Sequence, residues 1–153
     1  MILSIGSDHA GFELRKQVIE HLTEAGHTIL EHGAVDSTTA YSYVHAGQAV
    51  ARDINEKKAE RGIVICGTGI GISIVCNKYR GIRCALCTDE FMARMSRQHN
   101  NANILAMGAR VVGRGLALSI VDAYMTEAFE EGGRHQARVN EISSQEDTYF
   151  KAP

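Results

Sequence analysis

Five short apolar runs, Ile2–Gly6, Thr28–His32, Gly62–Cys66, Ile82–Cys87 and Ile104–Met107, alternate with longer amphipathic stretches along the whole chain. Each run is nearly continuous in apolar character, as a strand must be when both of its faces are covered. The intervening stretches carry helical stripes: Leu14, Val18, Ile19, Leu22 and Ala25, ending at Gly26; Ala46, Val50 and Ile54; Leu116, Ile120, Val121 and Tyr124. A shorter helix is expected to start within the glycine-rich turn after Cys66, and another near Thr88-Asp89, either of which can cap it. Strand–helix alternation repeated in this way predicts an α/β fold with a parallel sheet between two helical layers. That is a three-layer, Rossmann-like architecture with five strands, and the last twenty or so residues add a polar helical extension.

With 153 residues and no linker or low-complexity segment, the chain reads as one domain, 1–153. Within it, residues 129–153 form a tail with too few apolar side chains to make a core. Sixteen basic residues against eighteen acidic ones, interleaved as in Glu56-Lys57-Lys58-Ala59-Glu60-Arg61, argue against a nucleic-acid partner. No apolar stretch reaches the roughly 18–20 residues of a membrane span. Met1–Gly6 has neither a basic start nor a cleavage pattern and reads directly as a strand, so a cytoplasmic location is expected. In that setting the four cysteines, Cys66, Cys76, Cys84 and Cys87, are expected to be free thiols. Cys84 and Cys87, three apart on a strand, point to opposite faces and cannot clamp one metal.

In parallel sheets ligands bind beyond the carboxyl ends of the strands. Four polar clusters are expected to gather there: Ser7–Gly11, Cys66–Ser73, Arg97–Asn103 and Gly132–Arg138. The glycines at 67, 69 and 71 let backbone N–H groups converge on an anion, although a tight turn without a ligand would use them too. Asp89 after the next strand suggests a dinucleotide, but Ile72 stands where the third glycine of that fingerprint belongs. Cys66 closes its strand beside a helix N-terminus, a setting that favours the thiolate. A cysteine phosphatase would need an arginine at position 72; a thiol hydrolase would need a histidine in reach, and His99 is eligible. An aldose–ketose isomerase needs a base, donors for an enediolate oxygen and an acid–base group for ring opening. Cys66, the amides from Gly67 to Ser73 and His99 supply those parts. Arg134 and Arg138 share a helical face next to His135, and their forked guanidinium groups suit a phosphate, as would salt bridges to Glu130 or Glu141. Arg110 could join that anion site.

The runs Asp8-His9-Ala10-Gly11-Phe12, Ile65–Ser73, Ser96-Arg97-Gln98-His99-Asn100 and Gly132–Arg138, in this order, resemble the type-B ribose-5-phosphate isomerases. The wider family includes allose-6-phosphate and galactose-6-phosphate isomerases. The resemblance covers essentially the whole chain. It implies an enzyme without metal or cofactor, working as a homodimer or homotetramer whose active sites are shared between subunits, with the tail docked on the partner. It implies that Cys66 shuttles a proton between C1 and C2 of a sugar phosphate, most simply ribose 5-phosphate. The enediolate would lie on the Gly67, Gly69 and Gly71 amides, with Thr68 and the neighbouring Ser73. His99 would assist ring opening, Asp8 and Asn100 would bind hydroxyls, and His9, Arg110, Arg134, His135 and Arg138 would hold the phosphate. Where the family commonly has Asp-Tyr-Pro, this chain has Tyr41-Ser42-Tyr43-Val44-His45, which leaves open another sugar phosphate of four to six carbons. A non-catalytic sugar-phosphate-binding subunit is the further alternative, which the Cys66–His99 pair argues against.

Overall fold

The computed structural model describes residues 1–149. Five parallel strands, β1 (Ile2–Ser7), β2 (Thr28–Gly33), β3 (Arg61–Cys66), β4 (Cys84–Leu86) and β5 (Ile104–Gly108), lie in the order β2-β1-β3-β5-β4. Six helices follow or join them: α1 (Phe12–Glu24), α2 (Tyr43–Asn55), α3 (Ile70–Cys76), α4 (Glu90–Gln98), α5 (Arg114–Thr126) and α6 (Gly133–Tyr149). Among the described residues, no helix is long and apolar enough to cross a membrane.

The twofold alternation of side chains along the strands sorts the core into two layers. Leu3 and Ile5 of β1, Ile63 and Ile65 of β3, and Leu105 and Met107 of β5 pack against α1, α4 and α5. Val64 and Cys66, with Ile104 and Ala106, face α2 and α3 instead. On that second face Gly6 and Gly62 admit α2 to close range, since a methyl group would stand 2.9 Å and 2.7 Å from the two methyls of Val50. Cys66 therefore ends a strand under α3, on the face where the backbone is most tightly approached.

Two expectations need adjustment. β4 is shorter than the apolar run 82–87, because the Ile82 N–H closes a turn on the Tyr79 carbonyl and Asn103 Oδ1 takes the Arg83 N–H. Leu116 is 39% exposed, and Ala117 takes its place on the buried stripe with Ile120, Val121 and Tyr124. The inward face of α5 runs i, i+3, i+4, i+7 from Ala117, which leaves Leu116 about 100° off it.

The sheet changes winding direction between β1 and β3, because β2 lies outside β1 while β5 and β4 lie beyond β3. The carboxyl ends of β1 and β3 flank this switch point, the place where open α/β sheets bind ligands. Ser7-Asp8-His9 and Cys66-Gly67-Thr68 emerge there.

Candidate active site

A cleft of about 400 Å³ opens at this edge, lined by Asp8, His9, Tyr43, Cys66, Gly67, Thr68, Gly71 and Arg110, among others. Its geometry is set mainly by backbone. The Gly69 N–H donates to Cys66 Sγ at 3.1 Å, a contact that stabilises negative charge on the sulfur. Gly69 is left-handed, φ +78°, and a methyl there would stand 2.5 Å from the Leu86 side chain and 2.8 Å from the Met107 carbonyl carbon. From the other side, the Ala109 and Arg110 amides bind the Cys66 and Gly67 carbonyls at 2.8 Å and 3.0 Å. Thr68 Oγ1 accepts the Ile70 N–H at 3.3 Å, which leaves its hydroxyl hydrogen free to turn toward the cleft.

Asp8 is buried, with Oδ1 accepting the Gly11 N–H at 2.9 Å and Oδ2 left for a ligand. His9 Nδ1 accepts the Tyr41 N–H at 3.3 Å, so a neutral His9 carries its proton on Nε2. The Arg110 guanidinium lies over Gly67, where a methyl would stand 3.5 Å from Nη1. Ser73 is not on the cleft: its hydroxyl turns back to the Ile70 carbonyl at 2.8 Å inside α3. Gly69 reaches the site through its amide on the sulfur and does not line the cleft surface.

The structure corrects one expectation about placement. Arg97–Asn103 leads into β5, and in a parallel sheet a segment entering a strand lies at its amino end. His99 and Asn100 therefore sit at the opposite edge of the sheet from Cys66, separated by the length of β5. From Ile104 to Gly108 that is roughly 13 Å at about 3.3 Å per residue. The Gly132–Arg138 cluster joins His99 at this far edge, because the Glu130 N–H binds the Gln98 carbonyl at 3.1 Å. The His99 and His135 rings stack at 4.0 Å and 5°. Burial, with His99 and Arg134 beside it, lowers His135 from the ordinary histidine value. Glu130, 3.7 Å from His135 Nε2, opposes that shift. Among the described residues, Glu130 pairs with His135, and no carboxylate pairs with Arg134 or Arg138. Both arginines are exposed and free for an anion.

His99, Glu130 and His135 bring three donor atoms within 4.8 Å of one another. Parallel stacked rings direct their lone pairs side by side, and Arg134 Nε lies 3.4 Å from His135 Nε2, so the set does not suit a cation. The remaining thiols are structural. Cys84 is pushed up by its hydrogen bond with Cys76 and by burial, and burial raises Cys87 to about 11. As the sequence predicts, Cys84 packs on the α2/α3 side and Cys87 on the other, and all four cysteines are free. Of the Tyr41–His45 run that the sequence marked as bearing on the sugar, Tyr43 lines the cleft from the start of α2, and Glu130, read there as a partner of the arginines, pairs with His135 instead. Both matter through contacts between distant segments, which no local spacing reveals.

A cysteine, a histidine and an aspartate at the switch point of a parallel sheet, with a basic cluster at the far edge, give a Rossmann-like fold a polar site where such sheets bind ligands. Residues 3–142 match the model of the ribose/galactose isomerase family. The chain is 44% identical over 142 residues to ribose-5-phosphate isomerase B of Escherichia coli K12, covering 93% of this chain and 94% of that one. It is 38% identical over 131 residues to D-erythrulose-4-phosphate isomerase of Pectobacterium atrosepticum, covering 86% of each. The solved ribose-5-phosphate isomerase B of Clostridium thermocellum superimposes with a TM-score of 0.94 at 47% identity, covering 97% of this chain and 99% of that one. The chain belongs to the ribose/galactose isomerase family, and it is an aldose–ketose isomerase.

Proposed function

We propose that the protein interconverts ribose 5-phosphate and ribulose 5-phosphate, at sites that pair the Cys66 cleft of one subunit with the His99–Arg138 cluster of another. One observation carries this: the base and the phosphate clamp stand at opposite edges of one sheet, so neither half reaches the other within a chain. A twofold axis perpendicular to the strands reverses their direction, bringing the amino edge of one copy to the carboxyl edge of the next. Such an axis forms two equivalent sites at once. The surface for it is available on the β4 side of the sheet, where Ile70, Ile74, Phe91 and Met92 are exposed on α3 and α4, Phe91 to 71%.

In the assembled site, His9 and Arg110 meet the phosphate from one side, and Arg134, His135 and Arg138 of the second copy from the other. Cys66 thiolate removes the C2 proton of the open-chain aldose and returns it to C1. The Thr68 hydroxyl and the amides of Gly67 and Gly71 lie on the cleft to bind the enediolate oxygens, while the Gly69 amide holds the sulfur. His99 of the second copy transfers the proton that opens the furanose ring, and Asp8 and Asn100 bind sugar hydroxyls.

The test mixes two impaired parents, Cys66→Ala and the double variant Arg134→Ala plus Arg138→Ala, and assays them below the wild-type KM on four-, five- and six-carbon aldose phosphates. After subunit exchange, hybrid dimers hold one intact site, and random mixing is expected to restore about a quarter of wild-type activity. No recovery, with exchange demonstrated, would put both groups in one chain's site. Turnover confined to a four- or six-carbon sugar would replace the ribose reading.

A further inference from the structure

The cluster at the amino edge is assembled from two helix ends that lie far apart in the chain. His99 caps α4, while Arg134, His135 and Arg138 open α6. Residues 127–132, between α5 and α6, form neither helix nor strand. The chain then turns into α6 through Gly132 and Gly133, both left-handed at φ +78° and +62°, with open space where a methyl would stand on either. Packing therefore does not hold that turn. Among the described residues α6 buries only His135 and Val139, and burial alone carries no direction that would set one histidine ring on another. Its ties to Gly81 and Arg80, through Glu146 and Asp147, lie at its far end.

Glu127, where α5 ends, supplies the missing direction. Its carboxylate accepts from Arg94 Nη1 at 2.6 Å through Oε1 and from Gln98 Nε2 at 2.7 Å through Oε2. Arg94 and Gln98 stand one turn apart on α4, so both prongs grip one face of its last turn. These hydrogen bonds, Gln98 first and Arg94 second, hold the Glu127 carboxyl below the usual carboxylate range. The Glu130 N–H adds a main-chain tie to the Gln98 carbonyl at 3.1 Å. Gln98, the residue before His99, is thus bound to the link through its side chain and its backbone. From inside, Arg97 Nη1 donates to the Ala102 carbonyl at 2.6 Å and to Asn101 Oδ1 at 3.0 Å, which fixes the turn after His99, where Asn101 is left-handed at φ +46°.

We propose that Glu127 is a positioning residue for the isomerisation: its grip on Arg94 and Gln98 sets the register in which α6 presents Arg134, His135 and Arg138 beside His99. The proposal rests on the reading above of His99 and the arginines as half of the site. Glu127 bonds to none of these groups and acts through Gln98 on one side and the 127–132 link on the other. With the glycine turn unconstrained, releasing this grip frees α6 to swing, and the stacked rings and both arginines move with it.

The test compares Glu127→Ala, Glu127→Gln and Gln98→Ala with the wild type, by steady-state kinetics on the aldose phosphate that the wild type turns over fastest and by the histidine ring signals in NMR spectra. Glu127→Ala should lower kcat/KM by about tenfold to 100-fold, the scale of an ångström-sized misplacement, and move the His99 and His135 signals toward those of unstacked rings. Glu127→Gln keeps both hydrogen bonds once the Gln98 amide turns over to present its oxygen, so it should keep the stacked signals and stay within about twofold in kcat/KM. Gln98→Ala leaves one prong and should move both readouts in the same direction by less. A Glu127→Ala enzyme within about twofold of wild type, an equal loss in Glu127→Gln, or lost activity with the stacked signals intact would overturn the proposal. Should Glu127→Ala fail to fold, unchanged readouts in Gln98→Ala would overturn it. The double variant Arg134→Ala plus Arg138→Ala separates it from the reading beneath: an unchanged KM there removes the clamp and this proposal with it, whereas a raised KM beside a silent Glu127→Ala overturns the positioning alone.

Discussion

The two edges of the sheet are built differently. At the carboxyl edge, Cys66, Gly67, Thr68 and His9 are fixed by backbone: the Gly69 amide on the sulfur, the Ala109 and Arg110 amides on the loop, the Tyr41 amide on His9. Glycines at 69 and 108 permit contacts that a methyl group would break, at 2.5 Å and 2.6 Å. This half is rigid before any ligand arrives, as a site stabilising a transient charge should be. At the amino edge, His99 stands on a helix end, His135 stacks on it, and Arg134 and Arg138 extend from a helix with only two buried residues. That helix is tethered by polar contacts, Glu146 to the Gly81 amide and Asp147 to Arg80. The contrast teaches that pre-organisation here is concentrated around Cys66 and its glycine loop, where backbone contacts fix the groups.

The sharpest way to break the comparison is to remove the base. Cys66→Ala should lower kcat by about 10²–10⁴-fold, the range for a general base, while leaving substrate binding nearly intact. Cys84→Ala, a packing change, should leave kcat within about threefold. Equal losses in the two variants, measured by steady-state kinetics, would undo the division between reactive and structural thiols.

The amino edge should fail in a different parameter. Arg134→Ala plus Arg138→Ala removes two charge-assisted contacts worth about 1.5–3 kcal/mol each, so KM should rise by about 100-fold or more. The loss should be specific to phosphorylated substrate. A fall in kcat alone, with KM unchanged, would give this edge a part in the chemistry and not in binding. Smallest of all is the effect expected on chelation. Because the stacked His99 and His135 rings do not converge on a cation, exhaustive chelation should leave activity unchanged. Loss restored by one added divalent ion would show that the cluster rearranges to bind it.

Much of this was legible in the amino-acid order. Apolar runs covered on both faces could only be parallel strands, and the G-x-G-x-G run after Cys66 marked the loop that now holds its sulfur. Asp89 caps α4 as its residue type suggested, accepting the Met92 N–H at 2.8 Å. The place of His99 also follows from the sequence order, because a segment that enters a parallel strand belongs to its amino edge. Other features had no local signature. Leu116 and Ala117 differ by one step on a helix, and only the packing of α5 chose between them. Residues at 43 and 71 meet because glycines at 6, 47 and 62 bring α2 close to both the sheet and α3. Periodicity and residue type act over a few neighbours, and they determined the strands, the helices and the chemistry available at Cys66. Which groups share a cleft, which thiol faces it and which edge each cluster occupies depend on contacts between segments far apart in sequence, and those only the tertiary structure decided.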